Sequence, residues 1–192
     1  MSSTPRILAF SASARRESLN KKLLAVAVAA VREAGGEVTL IDLNDYVLPL
    51  YHGDLEEAEG LPANAVKLIG LIASHAGLLI ASPEYNSMIT PLLKNTLDWC
   101  SRAEDDPFPG KVAAVVSASP GPFGGVRSQK LAQQLLLHLG CHVVPAQAIL
   151  PRADKAFDAA GALTDARAHK AVTALAAALV DTTRKLGAPA SA

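Results

Sequence analysis

The sequence predicts an α/β fold: a five-stranded parallel sheet of order 2-1-3-4-5, held between two layers of helices. Three observations carry this. Short apolar runs alternate with helix-length amphipathic stretches, the pattern of repeated strand–helix units. Two of the runs, Leu78-Leu79-Ile80-Ala81 and Val112-Ala113-Ala114-Val115-Val116, are continuous rather than alternating, so both faces of those strands are buried under helices. Five such strands suit a doubly wound sheet, whose ligands lie beyond the carboxyl ends of the strands near the switch point.

Taken in order, the first strand is Arg6–Ser11, and an apolar-periodic helix over Leu19–Ala34 follows it and stops at Gly35-Gly36. The second strand is Glu37–Asp42. A long connection, Asn44–Pro62, carries Pro49, Gly53, Gly60 and Pro62. A helix over Ala63–Ser74 leads into the third strand, Gly77–Ser82. Pro91 then opens a helix over Pro91–Ser101, at a position where its missing N–H costs nothing. The fourth strand is Val112–Ala118, followed by a helix over Val126–Leu139 ending at Gly140. The fifth strand is His142–Leu150. An Ala-rich helix runs from about Thr164 to Lys185, and Gly187–Ala192 reads as a frayed tail. With 192 residues and no repeat or boundary, a single domain is expected over 1–192.

Composition narrows the function. Half of the residues are hydrophobic and 19% are charged, which suits a packed interior. Lys+Arg and Asp+Glu are both 18, so no basic footprint for nucleic acid exists. Charge also offers self-association little opposition. Cys100 and Cys141, the only cysteines, form no CxxC pair, which argues against a disulfide scaffold or a thiolate zinc site. No apolar stretch is long enough for a secretory leader or a membrane span, and a cytoplasmic location is expected.

Chemistry is concentrated in three loops that a parallel sheet brings to one edge. After the first strand comes Ser11-Ala12-Ser13-Ala14-Arg15-Arg16-Glu17-Ser18-Leu19-Asn20. Unpaired N–H groups and the dipole at the following helix start, hydroxyls of Ser13 and Ser18, the amide of Asn20 and the fork of Arg15 form a cradle for phosphate. After the third strand comes Ser82-Pro83-Glu84-Tyr85-Asn86-Ser87, and after the fourth Ser117 to Arg127, with Gly121, Gly124 and Gly125. Each loop alone reads equally as a cap, a turn or punctuation. Together they offer a planar aromatic ligand a flat main-chain approach, amide donors and an aromatic neighbour, with its phosphate tail on the first loop.

These residues resemble the NADPH-dependent FMN reductases of the flavodoxin-like superfamily, a group that includes quinone, azo-dye and chromate reductases. The match rests on Ser13-Ala14-Arg15-Arg16-Glu17-Ser18-Leu19-Asn20, Leu48-Pro49-Leu50-Tyr51 with Asp54, Pro83-Glu84-Tyr85-Asn86, Leu93-Lys94-Asn95 with Asp98-Trp99, and Gly124-Gly125 with Arg127. The resemblance implies a flavodoxin-like three-layer sandwich in which Ser13, Arg15, Ser18, Leu19 and Asn20 hold the FMN phosphate. It implies that Pro83, Glu84, Tyr85 and Asn86 line the isoalloxazine, with Ser117 and Gly121 near its pyrimidine side. It also implies NADPH or NADH as co-substrate, a small-molecule acceptor (quinone, azo compound, free flavin or oxyanion), and a homodimer or homotetramer. Two departures stand out: Ala12 where the family has Gly, and Thr90-Pro91 where it has Pro-Gly.

The flavin would carry the chemistry, so no side-chain nucleophile and no metal is expected. Cys100 reads as a small buried hydrophobe, and Trp99 as a packing anchor. His138 and His142 are split by Gly140 and make a poor ligand pair. Asp42 lacks the Gly-x-Gly-x-x-Gly loop that would make it a ribose ligand. Arg16, Arg102 and Arg127 are candidates for contact with a 2′-phosphate. Two other classes share the fold: a flavodoxin-type electron carrier, which steady NAD(P)H turnover would exclude, and a flavin-binding regulatory module without turnover.

Overall fold

In the computed structural model, which describes residues 4–186, the apolar runs form β1 (Arg6–Ser11), β2 (Glu37–Asp42), β3 (Gly77–Ala81) and β4 (Val112–Ala118). All pair in parallel with one another and with β5 (His142–Val143), in the order β2-β1-β3-β4-β5. Register explains how one site is assembled: Ser11 lies opposite both Asp42 and Ala81, and Ala81 lies opposite Val116. β1 and β3 therefore end level and β4 two residues beyond them, so their following loops meet on one edge.

Alternate side chains of each central strand go to opposite cores, because successive Cβ atoms point to opposite faces. Ile7, Ala9, Leu79, Ala81, Val112, Ala114 and Val116 pack under α1 (Leu19–Glu33) and the last helix, α6 (Ala166–Leu186). Leu8, Phe10, Leu78, Ile80, Ala113 and Val115 pack under α3 (Ala63–Ala73), α4 (Pro91–Cys100) and α5 (Val126–His138). The continuous apolar runs are thus buried on both sides, as their composition requires.

The structure corrects the sequence reading in two places. The expected fifth strand is two short pieces, β5 (His142–Val143) and β6 (Ala148–Leu150), both parallel to β4. Pro145, which cannot donate to a ladder, lies in the break. The buried Gln129 of α5 patches it, its Nε2 donating to Val115 O at 2.7 Å. The long connection also contains α2 (Gly53–Glu59), capped by His52 Nδ1, which accepts from Asp54 N at 3.2 Å. None of its residues is buried, so it has no apolar face for periodicity to reveal. The tail at 187–192 lies outside the described residues.

His75 follows α3 and is buried with both ring nitrogens engaged. Nδ1 lies 2.6 Å from Leu71 O and Nε2 2.7 Å from Thr39 Oγ1. The carbonyl can only accept, so Nδ1 carries the proton and Nε2 accepts from the threonine hydroxyl. Desolvation pushes the His75 pKa down, reinforced by Arg6 and Lys111 and opposed by the Leu71 carbonyl and Glu37. An unfolded histidine titrates near 6.5, so below that pH the unfolded chain binds a proton that the native chain refuses. The stability is complete above about pH 6.5 and declines as pH falls toward the lower native value. Thermal unfolding should therefore give a steady midpoint from pH 8 to 7 and a falling one toward pH 5.5. His75→Gln should flatten that slope, and an unchanged slope in the variant would dismiss His75 as its source.

Candidate active site

A cleft of about 150 Å³ opens where the loops after β1, β3 and β4 meet. The first loop supplies Ser13, Arg15, Ser18, Leu19 and Asn20. Ser18 is the N-cap of α1, its Oγ accepting from Lys21 N at 3.3 Å. The N–H groups of Leu19 and Asn20, first in the helix, have no partner among the described residues. They point partial positive charge outward at a helix start. Arg15 is exposed and belongs to no ion pair among the described residues. Ser13 is buried, its Oγ accepting weakly from Arg15 N at 3.4 Å.

Asn20 plays a part its sequence context did not show. Its Nδ2 donates to Ala118 O at 2.8 Å and its Oδ1 accepts from Ala118 N at 3.0 Å. The side chain is a buried clamp between the first and third loops, and only its backbone N–H is free for a ligand. Ala12 takes no positive φ and donates to Ala81 O at 2.9 Å, so an alanine meets no backbone obstacle there. Thr90 ties the same loop down: its Oγ1 donates to Ala12 O at 2.9 Å and caps α4 by accepting from Leu93 N. Pro91 occupies the first turn of α4, as expected.

The second loop is a two-residue turn. Tyr85 and Met88 exchange both backbone hydrogen bonds at 3.0 Å around Asn86 and Ser87, whose φ values are 51° and 67°. Two successive positive φ angles define the mirror-image turn that favours Asn-Gly, and here Ser87 holds the position glycine prefers. The turn projects Tyr85 and Met88 partly into solvent. Pro83, Glu84 and Tyr85 line the cleft, whereas Asn86 does not.

Glu84 is a helix cap. Its Oε2 accepts from Arg127 N at 3.0 Å and Ser128 N at 3.3 Å, while Oε1 accepts from Arg127 Nη1 at 3.0 Å. The N-cap position of α5 is Gly125, with no side chain to cap with, so a carboxylate from a distant loop satisfies the orphan donors. A Gly-Gly pair opening a helix was the one sequence signal that such a partner was needed.

From the third loop, Ala118, Ser119 and Pro120 line the cleft, and Ser117 and Gly121 do not. Ser117 is fully buried and donates to Ser82 O at 2.7 Å. Gly121 sits one residue past the lining, its carbonyl accepting from Arg152 N at 3.2 Å. Gly124 and Gly125 are both required, with φ of 60° and 84° and no room for a Cβ.

The remaining sequence candidates support rather than react. Trp99 Nε1 and Asn95 Nδ2 both donate to Pro49 O at 2.8 Å, and Asn95 Oδ1 accepts from Tyr51 N. Together they pin the long connection against α4. Lys94 pairs with Asp98 at the surface, and Asp42 with Lys21. Arg102 is committed to Glu56 and Arg127 to Glu84, while Arg16 is exposed and unpaired among the described residues. Burial pushes both thiols, Cys100 and Cys141, up to about 12, with Asp106 adding to the effect on Cys141. Neither is a thiolate at neutral pH. Among the described residues no cluster of His, Cys, Asp or Glu could hold a metal, and no helix is long and apolar enough to cross a membrane.

A family model described as NADPH-dependent FMN reductase matches residues 5–155, spanning all three loops. The chain belongs to this family. An NAD(P)H-dependent FMN reductase of Pseudomonas aeruginosa is 36% identical over 173 residues, covering 90% of this chain and 91% of the relative. An NADPH:quinone oxidoreductase of Arabidopsis thaliana is 34% identical over 165 residues, covering 83% and 82%. Among solved structures, the flavoenzyme NAD(P)H:(acceptor) oxidoreductase FerB of Paracoccus denitrificans superposes with a TM-score of 0.83 at 30% identity. It covers 96% of this chain and 100% of its own. As an FMN reductase family member, the chain is a flavin-dependent NAD(P)H oxidoreductase with the flavodoxin-like fold, using FMN and a reduced nicotinamide. The cleft suits FMN: its end at the start of α1 offers free N–H groups, hydroxyls and an unpaired guanidinium, the donors a phosphate takes. The one lining carboxylate, Glu84, is already neutralised by Arg127 and the start of α5.

Proposed function

We propose that this cleft is the FMN site, in a single domain that passes electrons from NAD(P)H to a small-molecule acceptor of the quinone, azo, free-flavin or oxyanion class. The observation that carries the assignment is the convergence of the α1 start, the Pro83–Tyr85 segment and Ala118–Pro120 on one cleft. When bound, FMN supplies the hydride acceptance and the onward electron delivery. The chain's own residues position it. Arg15, the hydroxyls of Ser13 and Ser18 and the N–H groups of Leu19 and Asn20 hold the phosphate by charge-assisted hydrogen bonds. Pro83, Glu84 and Tyr85 wall the ring on one side, and Ala118, Ser119 and Pro120 on the other. Tyr85 N–H is already given to Met88, so the main-chain donor of the lining segment left for a ring heteroatom is that of Glu84. Donors fixed in this way stabilise developing negative charge without reorganising.

The same reading places the protein in the cytoplasm as a homodimer or homotetramer. Val47 and Leu50 in the long connection are 74% and 79% exposed, and Tyr85, Met88 and Phe123 stand exposed around the cleft, apolar surface of the kind a second copy covers.

The test is a titration of the purified protein with FMN and then, anaerobically, with NADPH or NADH. Yellow protein that bleaches with either nucleotide, and turns over when an acceptor is added without a partner reductase, is the expected result. Arg15→Ala should weaken FMN binding about tenfold while leaving the fold intact. Wild-type protein that does not bind FMN would end the assignment, and a monomer by light scattering would end the oligomer.

A further inference from the structure

A second groove lies next to the flavin cleft, and we propose that it binds the adenosine 2′-phosphate end of NADPH. It has a volume of about 690 Å³ and is formed by the segment after β6 and the start of α6, within the about 300–1,000 Å³ range of small-molecule sites. The Ser119–Pro122 segment borders both: Ser119 and Pro120 line the cleft and Pro122 lines the groove. That wall is fixed, with Arg152 N donating to Gly121 O at 3.2 Å and Ala153 N to Ser119 O at 3.0 Å. A dinucleotide with its nicotinamide over the cleft has this groove as the adjoining space for its other half.

The lining has the two chemistries an adenosine phosphate requires. Ile149, Leu150, Pro151 and alanines of α6 make an apolar wall for a base. Arg152, Lys155 and Arg167 stand around it, all exposed and all outside any ion pair among the described residues. In a chain with 18 basic and 18 acidic residues, three free cations in one groove are a local excess. Asp165, the one carboxylate lining it, is spent on the start of α6, its Oδ1 accepting from Arg167 N at 2.6 Å and Ala168 N at 3.1 Å. Asp154 does not line the groove.

Backbone conformation points the same way. Three non-glycine residues take positive φ among the described residues: Asn86 and Ser87 in the ring-side turn, and Arg152 at 48°. A long cationic side chain held in a conformation that glycine adopts at less cost marks a position where the side chain is needed. Of the three arginines whose sequence context suggested 2′-phosphate contact, Arg102 and Arg127 are already paired. Arg16, the third, is unpaired but stands beside Arg15 in the first loop, whereas this groove holds three cations outside any ion pair among the described residues.

The inference rests on NAD(P)H being the reductant, and its test separates the two claims. Adenosine 2′,5′-bisphosphate and adenosine 5′-monophosphate are titrated by calorimetry against FMN-loaded wild type and the triple variant Arg152→Gln/Lys155→Gln/Arg167→Gln. NADPH and NADH kinetics are measured alongside. The bisphosphate should bind wild type at least tenfold more tightly than the monophosphate, and the variant should lose that advantage. The variant's KM for NADPH should rise at least tenfold, with bound FMN, kcat and the KM for NADH unchanged. Lys155→Gln alone, an exposed single change, should move both readouts part of the way. Equal affinity of wild type for the two probes, or an equal rise in both KM values, overturns the groove while leaving the reductase standing. Wild type that oxidises neither nucleotide overturns both.

Discussion

Gly124→Ala should lower the stability by about 2–4 kcal/mol, with a thermal midpoint roughly 10 °C below wild type. A Cβ at this position would lie 2.6 Å from Ile149 Cγ2, 2.7 Å from Pro151 N and 2.8 Å from Leu150 C. Two of those atoms are backbone, so no rotamer change relieves the contact, and the end of β6 itself must move. The φ of 60° adds about 1–2 kcal/mol for a residue with a side chain. Differential scanning calorimetry of the variant is the check. A midpoint within a degree of wild type would mean that the Ile149–Pro151 segment yields freely, and that the approach of the third loop to β6 is not a tight joint.

Asn20→Leu is expected to cost about 2–5 kcal/mol and to weaken FMN retention. The substitution keeps the volume of the side chain but strands the N–H and the C=O of Ala118, both buried and both bonded to Asn20 alone. Each unsatisfied buried group costs about 1–3 kcal/mol. Ala118 also begins the wall that Ser119 and Pro120 continue, so with FMN in the cleft as proposed the loss should reach FMN binding as well as the fold. Denaturant unfolding of the apoprotein and FMN titration separate the two effects. Asn20→Leu with an unchanged unfolding midpoint would show that Ala118 finds other partners, and that the clamp is incidental.

Both sites show which features of this protein sequence reasoning can reach. Strand and helix positions were legible because burial on two faces leaves uninterrupted apolar runs, and because Ser18, Thr90 and Pro91 mark helix starts locally. The cleft was legible as three loops for the same reason: parallel strands in register must deliver their following loops to one edge. What the sequence could not show were partnerships across long separations. The Asn20 side chain reads as a phosphate donor and is a clamp on Ala118, which leaves only its backbone N–H for a ligand. Glu84 reads as a ring-side residue, and it lines the cleft while also capping a helix that starts 42 positions later at Val126. Ser117 looked like a ligand contact and is sealed against Ser82 O. Polar residues at loop positions are chemically suited to a ligand and to a neighbouring backbone alike, and only the folded register decides between them. Helix α2 escaped notice for the opposite reason, having no buried face to leave a pattern.

The break between β5 and β6 has a bearing on solubility. Parallel sheets end in a row of amide and carbonyl groups onto which a stray chain can zip, the first step toward fibrous aggregates. Here that border consists of two residues, a proline-bearing kink and three more residues, with the Gln129 side chain plugging the rung between them. An intruding peptide finds too few contiguous sites to template on, so this flank of the molecule is blunted against runaway polymerisation by its own irregularity.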